Sequence, residues 1–476
     1  MTLGPAMTEI SAPPLRELGI TVLPEYIQSD GIEGVLHNIR EVAGATSVTT
    51  SPYVVAEVAP GSGEREPPID GGAGKDRLLD RPLWGKREVW MTASCSFTPD
   101  AARYAGLAYS APGTDAATAR DGHLVGDFLA EAKARGMETW MQIQAAIPPG
   151  HRVQFGRPNP GDRSLLPDGT AFDARVDRNA SLAAPDLRAY MRGFIADLCD
   201  AYPQADGFKF DWPEYPAYHF EALFFDFNPA AAPHAARAGL DFEALRRGVG
   251  EFLAALGTPE IRRRAVALDD AESFRDSLFA AWPVLAELAA FKTEIVADYA
   301  VFLRDTVAEA GGGRKSVFLQ CFPPPLNIAT GFDLARLGAH CDMVGVKAYT
   351  MHWPMIERNI LTALQARTDF APADIIRALT AVLGFAADPD RTPGDIRYPE
   401  PDDPHPAPDS GLTGMMRKAR AALPADTRMC GITHGYGPAD DVMRRFDAVA
   451  AGSDGAVHVN RYAYLSDAKL AAIGRR

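Results

Sequence analysis

The segment Asp206-Gly207-Phe208-Lys209-Phe210-Asp211-Trp212-Pro213-Glu214-Tyr215-Pro216 places a lysine and two carboxyl groups around the end of an apolar run. Side chains alternate along a strand, so Gly207, Lys209 and Asp211 share one face and Phe208 and Phe210 the other. With the phenylalanines turned toward helices, Lys209 and Asp211 point into an interior. There a neighbouring cation lowers a carboxyl pKa and keeps the group ionised. Glu214 lies past the strand between Trp212 and Tyr215, and an apolar wall of those rings would raise its pKa and hold a proton on it. One ionised and one protonated carboxyl are the minimum for breaking a glycosidic bond: Asp211 as nucleophile or oxocarbenium stabiliser, Glu214 as acid/base, Lys209 orienting and ionising Asp211. The bland alternative is a structural Lys209–Asp211 ion pair with Glu214 solvated.

Residues of this kind need a scaffold that ends several strands at one opening. Along the 476 residues, short apolar runs alternate with amphipathic helical patterns, and about eight such units can be counted. The pattern predicts a single (β/α)8 TIM barrel across residues 1–476, with insertions at about 57–120, 150–180, 217–285 and 385–412. DGFKFDW is its fourth strand. A doubly wound open sheet is the rival, but no GxGxxG follows the first strand. GGGRK (311–315) precedes a strand and reads as a helix stop, not a phosphate loop.

Active sites of such barrels lie at the C-terminal strand ends. By periodicity those ends offer Glu25 on strand one, Gln142 and Gln144 on three, Gln320 on five, Lys347 and Tyr349 on six, His434 on seven, and His458 and Asn460 on eight. Amides, imidazoles and carboxylates suit a hydroxyl-rich ligand, and Trp90, Trp140, Trp212 and Trp353 are candidates to stack on sugar faces. Any single Gln or His at such a position is more often a satisfied interior hydrogen-bonder than a catalyst, and the aromatics are more often core than platform. Glu25, if its strand register points it inward, rivals Glu214 as acid/base.

The bulk numbers exclude several classes. With 47% hydrophobic and 23% charged residues the chain can bury a large core. A net charge of −14 without a basic run argues against nucleic acid or an anionic membrane and favours a neutral or cationic small substrate. Cys95, Cys199, Cys321, Cys341 and Cys430 lack CxxC spacing, so reduced thiols are expected. The ten histidines form no HxH or HExxH, and the acidic pairs Asp269-Asp270 and Asp402-Asp403 read as solvated, so neither metal nor cofactor is expected. The N-terminus lacks a signal-peptide pattern and no apolar run approaches a membrane span, which together predict a cytoplasmic protein. A homo-oligomer through the insertions is compatible with the sequence.

DGFKFDWPEYP resembles the DGxDxDWEYP strand of family 18 chitinases, matching Asp206, Gly207, Asp211, Trp212, Glu214, Tyr215 and Pro216 with Pro213 inserted and Lys209 in place of the middle Asp. VGVKAYTMHW is similar to that family's sixth strand, and HGYG and HVNRYAY fall where its seventh and eighth would. Lys209 and Asp211 also resemble the Lys-x-Asp ending of the fourth strand in family 27 and 36 α-galactosidases, whose Asp is the nucleophile. A third likeness is to glycosyl-hydrolase-like barrels whose fourth strand ends D-x-x-R-Y-P, with Glu214 at the arginine's place. Together these resemblances imply a glycosidase acting on a carbohydrate. Two other functions fit the same residues: a Schiff-base lyase or aldolase using Lys347 with Tyr349 as proton relay, and a carbohydrate-binding barrel without catalysis.

Overall fold

A computed structural model describes residues 14–69, 77–259, 271–383 and 391–476. The chain enters through β1 (Glu17–Thr21) and β2 (Ser47–Thr50), then makes a small antiparallel sheet of β3 (Tyr53–Glu57), β4 (Glu64–Glu66) and β5 (Val89–Cys95), ordered β3-β5-β4. It continues through β6 (Glu138–Gln144), β7 (Gly207–Asp211), β8 (Ser316–Cys321), β9 (Met343–Lys347), β10 (Arg428–His434) and β11 (Ala456–Asn460). Apart from β3–β5, these strands are all parallel and close into an eight-stranded barrel, with β11 paired to β1. With helices around it, this is the (β/α)8 TIM barrel that the sequence predicts.

The helix Pro185–Ala201 shows why the outer layer forms. Pro185 starts it, where a missing N–H costs nothing, and Leu187, Met191, Phe194, Ile195 and Leu198 are buried on one side. It delivers the chain into β7, whose Phe208 and Phe210 join the same apolar layer. Gly312, at φ +60°, stops the long helix Pro283–Gly311 as read.

One expectation needs correction. The first strand ends at Thr21, and Pro24 opens the helix Pro24–Leu36, so Glu25 sits in a helical first turn and not on a strand. After β2 ends at Thr50 the chain leaves the barrel for β3, which starts at Tyr53. The helix Asp409–Ala422 buries Leu412, Met415, Met416 and Ala419. Asp269-Asp270 and the first thirteen residues lie outside the described residues. Among those described, no helix is long and apolar enough to cross a membrane.

The lower barrel is filled, not open. Trp140, Phe318, Met343, Cys430, Ile432 and Ala456 pack together inside it, all fully buried, with the Trp140 and Phe318 rings edge-on at 5.3 Å. Bulky side chains face glycines on the neighbouring strand: Trp140 is paired with Gly207, and His458 with Gly19. A Cβ on Gly207 would lie 2.4 Å from the Ser316 carbonyl oxygen and 2.6 Å from the Trp140 ring. Gly207→Ala is therefore expected to cost about 1–3 kcal/mol through overpacking against backbone that cannot yield. An unchanged urea midpoint would show that the floor accommodates the methyl group.

Candidate active site

Asp211 is the last residue of β7 and lies opposite Gln144, the last of β6. Its carbonyl oxygen accepts the Ala145 N–H at 2.8 Å, and its Oδ2 accepts Gln144 Nε2 at 3.2 Å. Lys347 ends β9, two strands away, and reaches across to place Nζ 3.5 Å from Asp211 Oδ1 and 3.6 Å from Glu214 Oε1. The side chains of Lys347, Asp211 and Glu214 are 3%, 16% and 1% exposed, so Asp211 alone keeps a path to the opening. Lys347 Nζ rests 4.5 Å from the centre of the Phe322 ring, and neither it nor Asp211 Oδ1 has a hydrogen-bond partner.

Glu214 reaches this point through a strained turn. Trp212 follows β7 at φ +58°, a left-handed conformation that is uncommon for a bulky residue and is found mainly where function fixes the backbone. The turn is pinned by the Tyr215 N–H to Thr330 O at 3.2 Å and by Asn179 Nδ2 to the Glu214 carbonyl at 3.1 Å. The carboxyl then meets two donors: the Phe322 N–H, 2.7 Å from Oε1, and the Thr330 hydroxyl, 2.6 Å from Oε2. The Thr330 hydroxyl is also 3.0 Å from Asn327 O. An ionised Glu214 accepts from Thr330; a protonated one donates to it, and Thr330 donates on to Asn327. Both protonation states are thus satisfied. Burial pushes the Glu214 pKa up to about 7, against the opposing pull of Lys347, Thr330 and Phe322.

The cation beside Asp211 is not the expected one. Lys209 points inward from β7 but lies deeper, its Nζ 4.9 Å from the centre of the Phe318 ring on the aromatic floor, and it makes no ion pair with Asp211. Burial lowers its pKa to about 8. Lys347, expected as a substrate contact, takes the orienting place. Gln142 and Gln320 form one layer of the interior, hydrogen-bonded at 3.3 Å. Tyr349 and His434 meet at the mouth with ring centres 5.7 Å apart, and Asn460 ends β11 opposite His434. Trp212 is buried against Tyr218, with ring centres at 6.0 Å.

Other expected positions serve structure. Trp140 belongs to the floor, and Trp353 is buried at a helix start. Trp90 is on the antiparallel sheet. His458 lies beneath the site, its Nε2 2.8 Å from Glu17 Oε1. Glu25 accepts from Tyr53 Oη at 2.9 Å and pairs with Arg152 at 3.1 Å. Burial raises its pKa.

Sequence reasoning missed Thr330, Phe322, Tyr218 and His352, all supplied by connections after strand ends, Thr330 as the last residue of the short helix Leu326–Thr330. Tyr218 Oη lies 3.3 Å from His352 Nδ1. It also missed an ionic arc on the β1–β11 side, where Glu66 is clasped by Arg152 at 2.8 Å and by Arg461. Arg152 joins Glu66 to Glu25. No spacing signal links residues so far apart in sequence. Among the described residues no group of three or more His, Cys, Asp or Glu is placed to hold a metal ion.

No protein-family profile matches the chain, and comparison with curated proteins finds no match. Among solved structures it is similar to the catalytic domain of the β-amylase from Paenibacillus polymyxa, at 8% identity and a TM-score of 0.49 over 97% of this chain and 95% of that one. The β-galactosidase from the psychrophilic Marinomonas ef1 is similar at 12% identity and a TM-score of 0.47 over 94% of this chain, which spans 54% of that protein. A class V chitinase from Pseudomonas fluorescens Pf-5 is similar at 10% identity and a TM-score of 0.33 over 98% of this chain and 100% of that one.

The buried carboxyl has a consequence for stability. Between about pH 4.5 and 7 folded Glu214 keeps a proton that the unfolded chain has lost, so the native state binds more protons there. This contribution is fully present below about pH 4.5 and is lost as pH rises through about 7. Relative to Glu214→Gln, the wild type should lose on the order of 3 kcal/mol across that window. Urea unfolding of both proteins at several pH values checks it; a difference that stays flat with pH would place the Glu214 pKa in the ordinary range.

Proposed function

We propose that this barrel is a glycoside hydrolase that cleaves with Asp211 and Glu214. The observation that carries the reading is one buried ammonium, Lys347, shared by two carboxyl groups in unlike surroundings. Asp211 is at the strand end, partly open, with Oδ1 free of hydrogen bonds. Glu214 is buried, with a pKa raised to about 7 and a proton-accepting neighbour in Thr330. That division suits a nucleophile or oxocarbenium stabiliser beside an acid/base able to hold or release a proton near neutral pH. Lys347 positions both. Gln144 holds the far oxygen of Asp211, and Tyr349, His434 and Trp212 border the space where a sugar ring would lie.

The favoured course is retaining: Asp211 attacks the anomeric carbon as Glu214 protonates the departing oxygen, and Glu214 then takes a proton from water to release the sugar. Lys347 on the sixth barrel strand keeps a Schiff-base lyase as the second reading, since its Nζ has no hydrogen-bond partner. Its place between two carboxyls is that of a counter-ion, and borohydride with carbonyl compounds should leave no mass adduct on it.

A screen of chromogenic α- and β-glycosides tests the proposal. Asp211→Asn and Glu214→Gln should each lower kcat/KM at least about 10²-fold, the scale of a lost acid, base or nucleophile. The wild-type kcat/KM should fall as pH rises above about 7, where Glu214 gives up its proton. Azide should restore turnover to Glu214→Ala, because it attacks a glycosyl-enzyme without needing a general base. Activity that persists in Asp211→Asn would remove the nucleophile from this reading.

A further inference from the structure

The wall of the mouth formed by β10 and β11 differs from the wall that holds Asp211 and Glu214. His434, at the end of β10, accepts the Tyr436 N–H on Nδ1 at 3.1 Å, so the neutral ring carries its proton on Nε2. Its ring lies 5.0 Å from that of Tyr464, centre to centre. The guanidinium of Arg461 sits over the same Tyr464 ring at 5.6 Å, and that of Arg77 at 5.4 Å. Arg77 Nε also donates to Tyr464 Oη at 3.0 Å.

The acids of this arc are already engaged. Glu66 is clasped through one oxygen by Arg461 and through the other by Arg152, and Glu25 is taken by Arg152 and Tyr53. Among the described residues Arg461 Nε, itself buried, has no hydrogen-bond partner. Among the described residues Arg77 has no carboxylate within ion-pair distance. Buried guanidinium donors left unmatched are costly, and their planar fork suits a carboxylate. The same positive surroundings help hold His434 and His352 uncharged, burial being the larger cause.

We propose that the glycoside taken by this site carries a carboxylate, as a uronic acid does, bound at this wall by the Arg461 guanidinium, whose side chain keeps 12% exposure, and by His434 Nε2–H. The proposal rests on the hydrolase reading and adds its substrate class. It reverses what the net charge of −14 implies, because local buried donors and not the outer surface meet the ligand.

Calorimetric titration of the wild type with glucuronate and galacturonate, each against glucose or galactose, is the test. The acid should bind at least tenfold more tightly than its neutral counterpart, with a margin that narrows as salt is raised. Arg461→Gln should bring the ratio to within about twofold, and Arg461→Lys should keep part of it. If Arg461→Gln does not fold, His434→Gln provides the same comparison. Equal binding of acid and neutral sugar, no binding of either, or tighter binding of a sugar 6-phosphate than of the uronate overturns the proposal.

Paired nitrophenyl uronides and neutral glycosides separate this from the parent reading. Turnover of neutral glycosides without preference for the uronide ends the proposal and leaves the hydrolase. Preferential uronate binding with no turnover of any glycoside keeps the wall and ends the hydrolase.

Discussion

An ammonium group taken out of water needs anions or acceptors around it, and among the described residues Lys347 has two carboxyl groups and an aromatic face. The site depends on that arrangement. Asp211 and Lys347 end parallel strands separated by β8, so the sheet sets them at one edge and the barrel's curvature turns both side chains inward. Glu214 completes the group because the chain after β7 folds back through the left-handed Trp212 and is tied to the loop following β8. Substituting any one of the three charges would leave the others buried without their counterweight. The side chains proposed for chemistry also hold one another in place.

Much of the scaffold is legible because its signals are local. Apolar alternation gives β7, Pro185 and the spacing of Leu187, Met191 and Phe194 give the preceding helix, and the sequence Gly311-Gly312-Gly313 marks the end of another. Glu25 shows the limit of such reading: apolar residues continue past Thr21 to Ile27, but Pro24 starts a helix within them, a position that proline favours. At the site, Asp211 and Glu214 are visible as a pair, but which lysine serves them is not. Lys209 is two residues away in sequence and faces the same interior, yet depth along the strand sets it on the floor while Lys347 reaches across from β9. Arg152 and Arg461 are supplied by loops, and Thr330 by a five-residue helix, whose placement no periodicity encodes.

Charge illustrates the same separation of scales. A chain with net charge −14 places guanidinium groups around one side of its mouth and commits nearby acids to holding them. Net charge governs solubility and encounter, whereas a buried site responds to the few groups that line it. Long-range repulsion of an anion and short-range recognition of it can therefore coexist in one molecule.

The packed layer of Trp140, Phe318 and their neighbours has an implication for communication between the two ends of the barrel. A depression of about 500 Å³ lined by Arg16, Glu17, Arg420 and Arg428 lies toward the N-terminal ends of the strands, on the far side of that layer. Packed side chains thus stand between that depression and the strand ends that carry Asp211 and Lys347, so a charge changed at one end acts on the other only through the barrel wall.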